Sequence, residues 1–196
     1  MANDVKVDLR VKRTRHFLIQ AFEALLEEKG LQALTVRDIT ERAMVNRSTF
    51  YDHFDDKYDL FGYIIRESFA AKICGSLPDQ ATFNLENLRL LSIAALEYIG
   101  QIPGRCSGPS RVDFRSVVET QVQQQLYLLI LDWLQSTDEA AWIVKLDVVA
   151  VAVSWAIFGT GLQLGHQMDQ ADIEAIADQV VLLIAKGLED SYNGPL

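Results

Sequence analysis

Two short capped helical runs, separated by only three residues, constrain this chain more than any other feature of it. They lie in Thr35 to Lys57, TVRDITERAMVNRSTFYDHFDDK. Thr35 is a favourable N-cap, and Asp38, three residues on, completes an acidic form of the capping box. Leu34 and Ile39 stand at the staple positions around that cap. Val36, Ile39 and Ala43 then share one helical face. The pattern repeats at once. Asn46 is an N-cap, Val45 and Phe50 can staple it, and Phe50 and Phe54 are one turn apart. Only Ala43 to Val45 connect the two runs, as a helix-turn-helix requires to cross its helices steeply.

An ordinary helical core can contain two such helices, so the exposed chemistry of the second has to decide. Arg47, Ser48, Thr49, Tyr51 and His53 are hydrogen-bond donors in or just beyond its first two turns. In a helix-turn-helix that part of the second helix meets base edges in the major groove. Arginine can pair bidentately with guanine, and Ser or Thr can meet several edges or a thymine methyl. Lys57, at the start of the next helix, is placed for a phosphate.

With these residues in view, the stretch resembles the DNA-binding domain of the TetR family of one-component bacterial transcription regulators. The family pattern is carried here by Thr35, Ala43-Met44-Val45-Asn46, Tyr51-Asp52-His53-Phe54, Lys57 and Leu60. The likeness covers roughly residues 10 to 61. One position departs from the pattern: Met44 stands where the family usually has glycine. If that position needs a positive φ, a side chain there costs about 1 kcal/mol. The resemblance implies a DNA-binding set of Thr35, Asn46, Arg47, Ser48, Thr49, Tyr51, His53 and Lys57. Of these, Arg47, Ser48 and Thr49 would read bases, and Thr35, Tyr51, His53 and Lys57 would hold phosphates.

Charge at first opposes a nucleic-acid partner, because the chain carries a net −9. Its distribution answers the objection. Residues 1–66 balance their acidic and basic side chains, and the remainder supplies the whole excess. An acidic body keeps DNA away from itself and leaves binding to the neutral end. Arg10, Lys12, Arg13 and Arg15 form a basic entry to the first helix, either solvated or facing the phosphate backbone. Cys74 and Cys106 lack metal spacing and read as free thiols of a reducing compartment. No signal peptide or uninterrupted apolar span is expected, so the chain reads as a cytoplasmic bacterial protein without a membrane partner.

Long 3.6-residue periodicities dominate the rest, so the fold class is all-α. A loose arm to about residue 9 precedes a first helix that Gly30 ends. The expected domains are 1–56, an arm and a three-helix helix-turn-helix domain; 57–75, a connecting helix capped by Asp56; and 76–196, a helical regulatory and dimerisation bundle. Within the bundle, helices are expected over Asn84 to about Ile102 and Val112 to Gln135. Another follows a Ser136-Thr137-Asp138 cap to about His166, and a last one covers Ala171 to Glu189. Pro103 to Ser110 reads as a loop, and the tail from Tyr192 should fray.

The last two helices are apolar on more than one side. The resemblance implies that they form a four-helix interface in a homodimer. Val149, Val153, Ala156, Ile176, Val180 and Leu183 are the expected contact residues. Two copies would match the two half-sites that such proteins read about 34–36 Å apart.

No catalytic or metal motif appears, and no cofactor is expected. An apolar pocket between helices, with a few polar anchors, is plausible for an effector. Its candidate liners are Tyr98, Arg115, Tyr127, Trp133, Trp155, Phe158, Gln163 and His166, with Phe83 nearby. The reading is a repressor that leaves a pseudo-palindromic double-stranded operator when a small molecule binds. The alternatives are a regulator or activator controlled by a partner protein, and an enzyme with a vestigial helix-turn-helix.

Overall fold

The computed structural model describes residues 2–101, 111–138, 141–165, 169–189 and 191, with side chains described from residue 10 onward and, in the second segment, from residue 116. Cys106, His166, the loop 103–110, the tail from Tyr192 and the Arg115 side chain lie outside the described residues. Among the described residues there are eight α-helices and no β-strand. They are α1 (Ala2–Ala33), α2 (Val36–Ala43), α3 (Arg47–Tyr51), α4 (Lys57–Ser76), α5 (Leu85–Gln101), α6 (Arg111–Gln135), α7 (Leu146–Leu164) and α8 (Gln170–Leu188).

The chain divides into two compact units, and the boundary falls inside α4. The first holds residues up to Ile65 with the start of α6 as far as Val118, and the second holds the rest. The first unit forms because α1 and α4 each offer an apolar stripe. Leu18, Phe22 and Leu25 of α1 are buried with Leu60 and Phe61 of α4, and the Phe22 and Phe61 rings stack at 5.7 Å. Leu34, Ile39, Phe50 and Phe54 complete this core from the two short helices and their flanks. α1 runs back to Ala2, where a loose arm was expected: residues 2–29 contain neither glycine nor proline to stop it. Gly30 breaks the helical geometry, with φ 75° and ψ 165°.

In the second unit α5 packs on α7 and α8. Gly100 of α5 and Gly165, the C-cap of α7, meet closely. A Cβ on Gly100 would stand 2.5 Å from the Gly165 carbonyl oxygen, so that position has no room for a side chain, and one on Gly165 would press on the Gly100 backbone at 3.1 Å. Leu96, Ile173 and Ala177 join α5 to α8, with Ile176 half-buried against them. Arg89 adds ion pairs from α5 to Asp178 and Glu174 of α8.

Ser136, Thr137 and Asp138 do not cap α7, which starts ten residues after Ser136. They end α6 instead. The hydroxyls of Ser136 and Thr137 donate to the Asp132 and Leu134 carbonyls, and the Thr137 amide also donates to Leu134, closing the last turn of the helix. Thr137 in turn accepts from the Trp142 indole at 2.9 Å, and Trp142 meets Phe83 edge-on. By length and composition α7 is apolar enough to cross a membrane. Here Val149, Val153, Ile157 and Phe158 of the same helix are buried in the core.

Candidate nucleic-acid interface

The two short helices are fixed by their ends. At the start of α2 the Asp38 amide donates to the Thr35 hydroxyl oxygen, and the Thr35 amide and hydroxyl donate back to the Asp38 carboxylate at 2.8 and 2.6 Å. The Lys29 ammonium lies 2.8 Å from the same carboxylate. Lys29 first, and then the Thr35 donors, hold the Asp38 carboxyl well below the usual carboxylate range. The expected capping box is therefore formed, and a cation reinforces it.

At the other end α2 closes on Met44, whose φ of 54° and ψ of 41° are left-handed. The Met44 amide donates to the Glu41 carbonyl at 3.3 Å and the Val45 amide to the Thr40 carbonyl at 3.0 Å. These two bonds make a Schellman motif, which glycine usually closes. The Met44 side chain is 93% exposed, so no packing contact offsets its backbone conformation. The chain leaves this turn at Val45 and enters α3 directly.

On α3 the inward residue is Phe50, fully buried and in ring contact with Phe54. Asn46, Arg47, Ser48 and Tyr51 are exposed, while Thr49 and His53 are half-buried. Asn46 occupies the cap position, but its side chain makes no capping bond, contrary to expectation. Arg47 donates from Nη2 to the Tyr51 hydroxyl at 3.1 Å, and its guanidinium lies 5.6 Å from the Tyr51 ring centroid. Burial, and then the Arg15 charge, push the His53 imidazole below its usual range. One face of α3 is thus anchored in the core, and the other is an exposed row of polar side chains.

Lys57, expected at a phosphate, has backbone partners within the chain. Its ammonium donates to the carbonyls of Leu31, Gln32 and Leu34 at 2.8, 3.1 and 2.8 Å. Those acceptors lie at the end of α1 and in the link to α2, so Lys57 ties α4 to that link. Thr35 is likewise engaged with Asp38. Arg15 turns over the Tyr63 and Phe54 rings, at 4.9 and 5.9 Å. Arg10 and Arg13 are exposed, and with Phe17 they form one side of an open groove of about 550 Å³. Arg42, Met44 and Val45 form its other side. Sequence reasoning missed this groove, because its two walls are thirty residues apart.

The described effector candidates differ in burial. Tyr98 is buried and shares a 2.7 Å hydrogen bond with Ser68. Trp133 and Phe158 are buried, and Tyr127 is half-buried. Trp155 is 52% exposed and Gln163 is exposed. The expected dimer residues also divide. Val149, Val153 and Val180 are buried in their own unit, whereas Ala156 and Leu183 are exposed. Beside them the structure exposes Val148, Val151 and Leu182, which sequence reasoning did not single out, and Trp155, which it assigned to the effector pocket. Among the described residues no His, Cys, Asp or Glu cluster could hold a metal.

Residues 18–64 match the family model described as bacterial regulatory proteins, tetR family. An uncharacterized HTH-type transcriptional regulator of Bacillus subtilis, YxbF, is 39% identical over 78 residues, which are 39% of this chain and 19% of that protein. The probable acrEF/envCD operon repressor of Escherichia coli is 30% identical over 97 residues, 46% of this chain and 43% of that protein. The chain therefore spans less than half the length of these curated relatives. Over nearly its whole length it is similar in fold to the solved flavonoid-responsive regulator FrrA, with a TM-score of 0.60, 18% identity, and coverage of 90% of this chain and 97% of the other.

Proposed function

We propose that this chain, whose residues 18–64 match the model described as bacterial regulatory proteins, tetR family, is a homodimeric transcriptional repressor released from its operator by a small molecule. The observation that carries this reading is the division of α3: Phe50 is fixed in the core while Arg47, Ser48 and Tyr51 stand exposed beside the turn. Arg47, Ser48 and Thr49 read base edges, and the exposed Asn46 amide joins them. His53 reaches a phosphate, and Arg10 and Arg13 add salt-sensitive affinity from the groove beside α2. Lys57 and Thr35 act indirectly, by fixing the approach to α2.

The dimer forms through the exposed apolar stripe of α7 and α8, chiefly Val148, Val151, Trp155, Leu182 and Leu183. A stripe of that size on a soluble chain calls for a partner, and a second copy supplies the two-fold axis that paired half-sites need. On this reading α7 is an interface helix and the protein is cytoplasmic. The effector acts by population shift: it prefers a dimer whose reading heads are wrongly spaced, and it weakens DNA binding by its differential affinity for that state. The name of the E. coli relative supports the repressor sign. The body works as a sensor and not as an enzyme.

The test is a gel shift of the purified chain on the DNA upstream of its own gene, repeated across a salt series, with a reporter on the same DNA. Retarded complexes that weaken steeply with salt, and reporter output that rises when the chain is deleted, are expected. Absence of any complex at low salt refutes DNA binding. A reporter that falls on deletion makes the protein an activator.

A further inference from the structure

The family resemblance would give Tyr51 a phosphate. The geometry of α3 points elsewhere: we propose that Tyr51 is a positioning residue for base reading, which holds the Arg47 guanidinium ready for one guanine. This inference rests on the DNA-binding reading above.

Arg47 and Tyr51 are four residues apart, so their side chains lie one above the other on α3. Two contacts join them, the 3.1 Å hydrogen bond from Nη2 to the phenol oxygen and the stacking of the guanidinium at 5.6 Å from the ring. Tyr51 is itself braced, because its ring meets the fully buried Phe50 edge-on at 5.5 Å. A line of contact therefore runs from the core through Phe50 and Tyr51 to Arg47. The guanidinium has five N–H donors, and the phenol takes one. The remaining donors still include a pair with the spacing of guanine O6 and N7. A long side chain otherwise loses its rotamer freedom on meeting a base. Here Tyr51 has removed part of that freedom beforehand, so affinity at that base pair gains from preorganisation.

The experiment uses the full-length chain and a duplex recovered by its own selection from a random library. Fluorescence anisotropy then measures binding to a panel of duplexes with each position changed in turn, for the wild type, Arg47→Ala, Tyr51→Phe, Arg47→Lys and the Arg47→Ala/Tyr51→Phe pair. Arg47→Ala erases the guanine preference at one base pair, about a tenfold loss. Tyr51→Phe keeps the ring and its Phe50 contact but removes the phenol acceptor. It should lower discrimination at that same base pair about threefold, a modest hydrogen-bond loss. The salt slope and the affinity for unrelated duplexes should stay unchanged. Arg47→Lys, which keeps the charge and loses the planar fork, should also lose the preference there. The paired variant should behave as Arg47→Ala alone.

If Tyr51→Phe weakens every duplex alike and flattens the salt slope, Tyr51 is a phosphate contact and the proposal fails. It also fails if Tyr51→Phe changes nothing, or blurs a different base pair. A wild-type chain that recovers no duplex refutes the regulator reading itself, before any variant is made.

Discussion

Met44 sits at the pivot between α2 and α3 in a conformation that favours glycine. Because its side chain is almost wholly exposed, nothing compensates the left-handed backbone. Met44→Gly should therefore raise the stability of the chain by about 1 kcal/mol, seen as a higher urea midpoint at unchanged slope. A lower midpoint would mean that the methionine side chain contributes contacts outweighing the strain. Asp38 makes a second residue-level prediction, through pH. Its pKa is depressed in the folded chain by Lys29 and Thr35. Its contribution to stability is then complete above the ordinary carboxylate pKa of about 4, and it is lost as pH falls through the lower folded value. The stability difference between the wild type and Asp38→Asn should stay constant from neutral pH down to about 5 and shrink below about 4. Urea melts along a pH series measure it; a gap that stays the same into strong acid would show that the carboxylate charge is not what holds the cap.

Lys57 shows how one side chain can govern an element. Its ammonium ties the first turn of α4 to the end of α1 and the link before α2, through three backbone carbonyls. Lys57→Ala leaves these acceptors short of a donor and should cost about 1 to 3 kcal/mol in a thermal or urea melt. The salt slope of DNA binding should not change, since no phosphate contact is lost. A slope reduced by about one, with stability intact, would return Lys57 to the phosphate role that the family resemblance suggests. The contrast also shows what was legible in the sequence. The capping box at Thr35 and Asp38, the Asp56 cap of α4 and the three-residue turn were readable because caps act within four residues. The partners of Lys57 lie 23 to 26 residues away, where periodicity carries no information. α7 failed differently. It is apolar all round, so its sequence has no phase to separate Val149 and Val153, which face the core, from Val148, Val151 and Trp155, which do not. The start of α7 was misplaced because Ser136-Thr137-Asp138 fits either end of a helix, and here it closes α6.

At the scale of the whole molecule, the proposed function needs both a reading head and a way to pair two of them. The exposed stripe on α7 and α8 is the proposed pairing surface, and Trp155 and Leu183, at 52% and 73% exposure, stand out in it. Trp155→Glu with Leu183→Glu should yield a folded monomer by sedimentation, with circular dichroism unchanged and operator affinity down at least tenfold, because each half-site must then be bound alone. A variant that still sediments as the wild type would place the interface elsewhere. The most direct test of the account is a selection of bound sequences from a random duplex library by the full-length chain. The account predicts an enriched pseudo-palindrome, two inverted half-sites centred about one helical turn or a multiple of it apart, whose enrichment disappears with Arg47→Ala. A library that comes through unenriched, or a motif that the Arg47 change leaves intact, would contradict it.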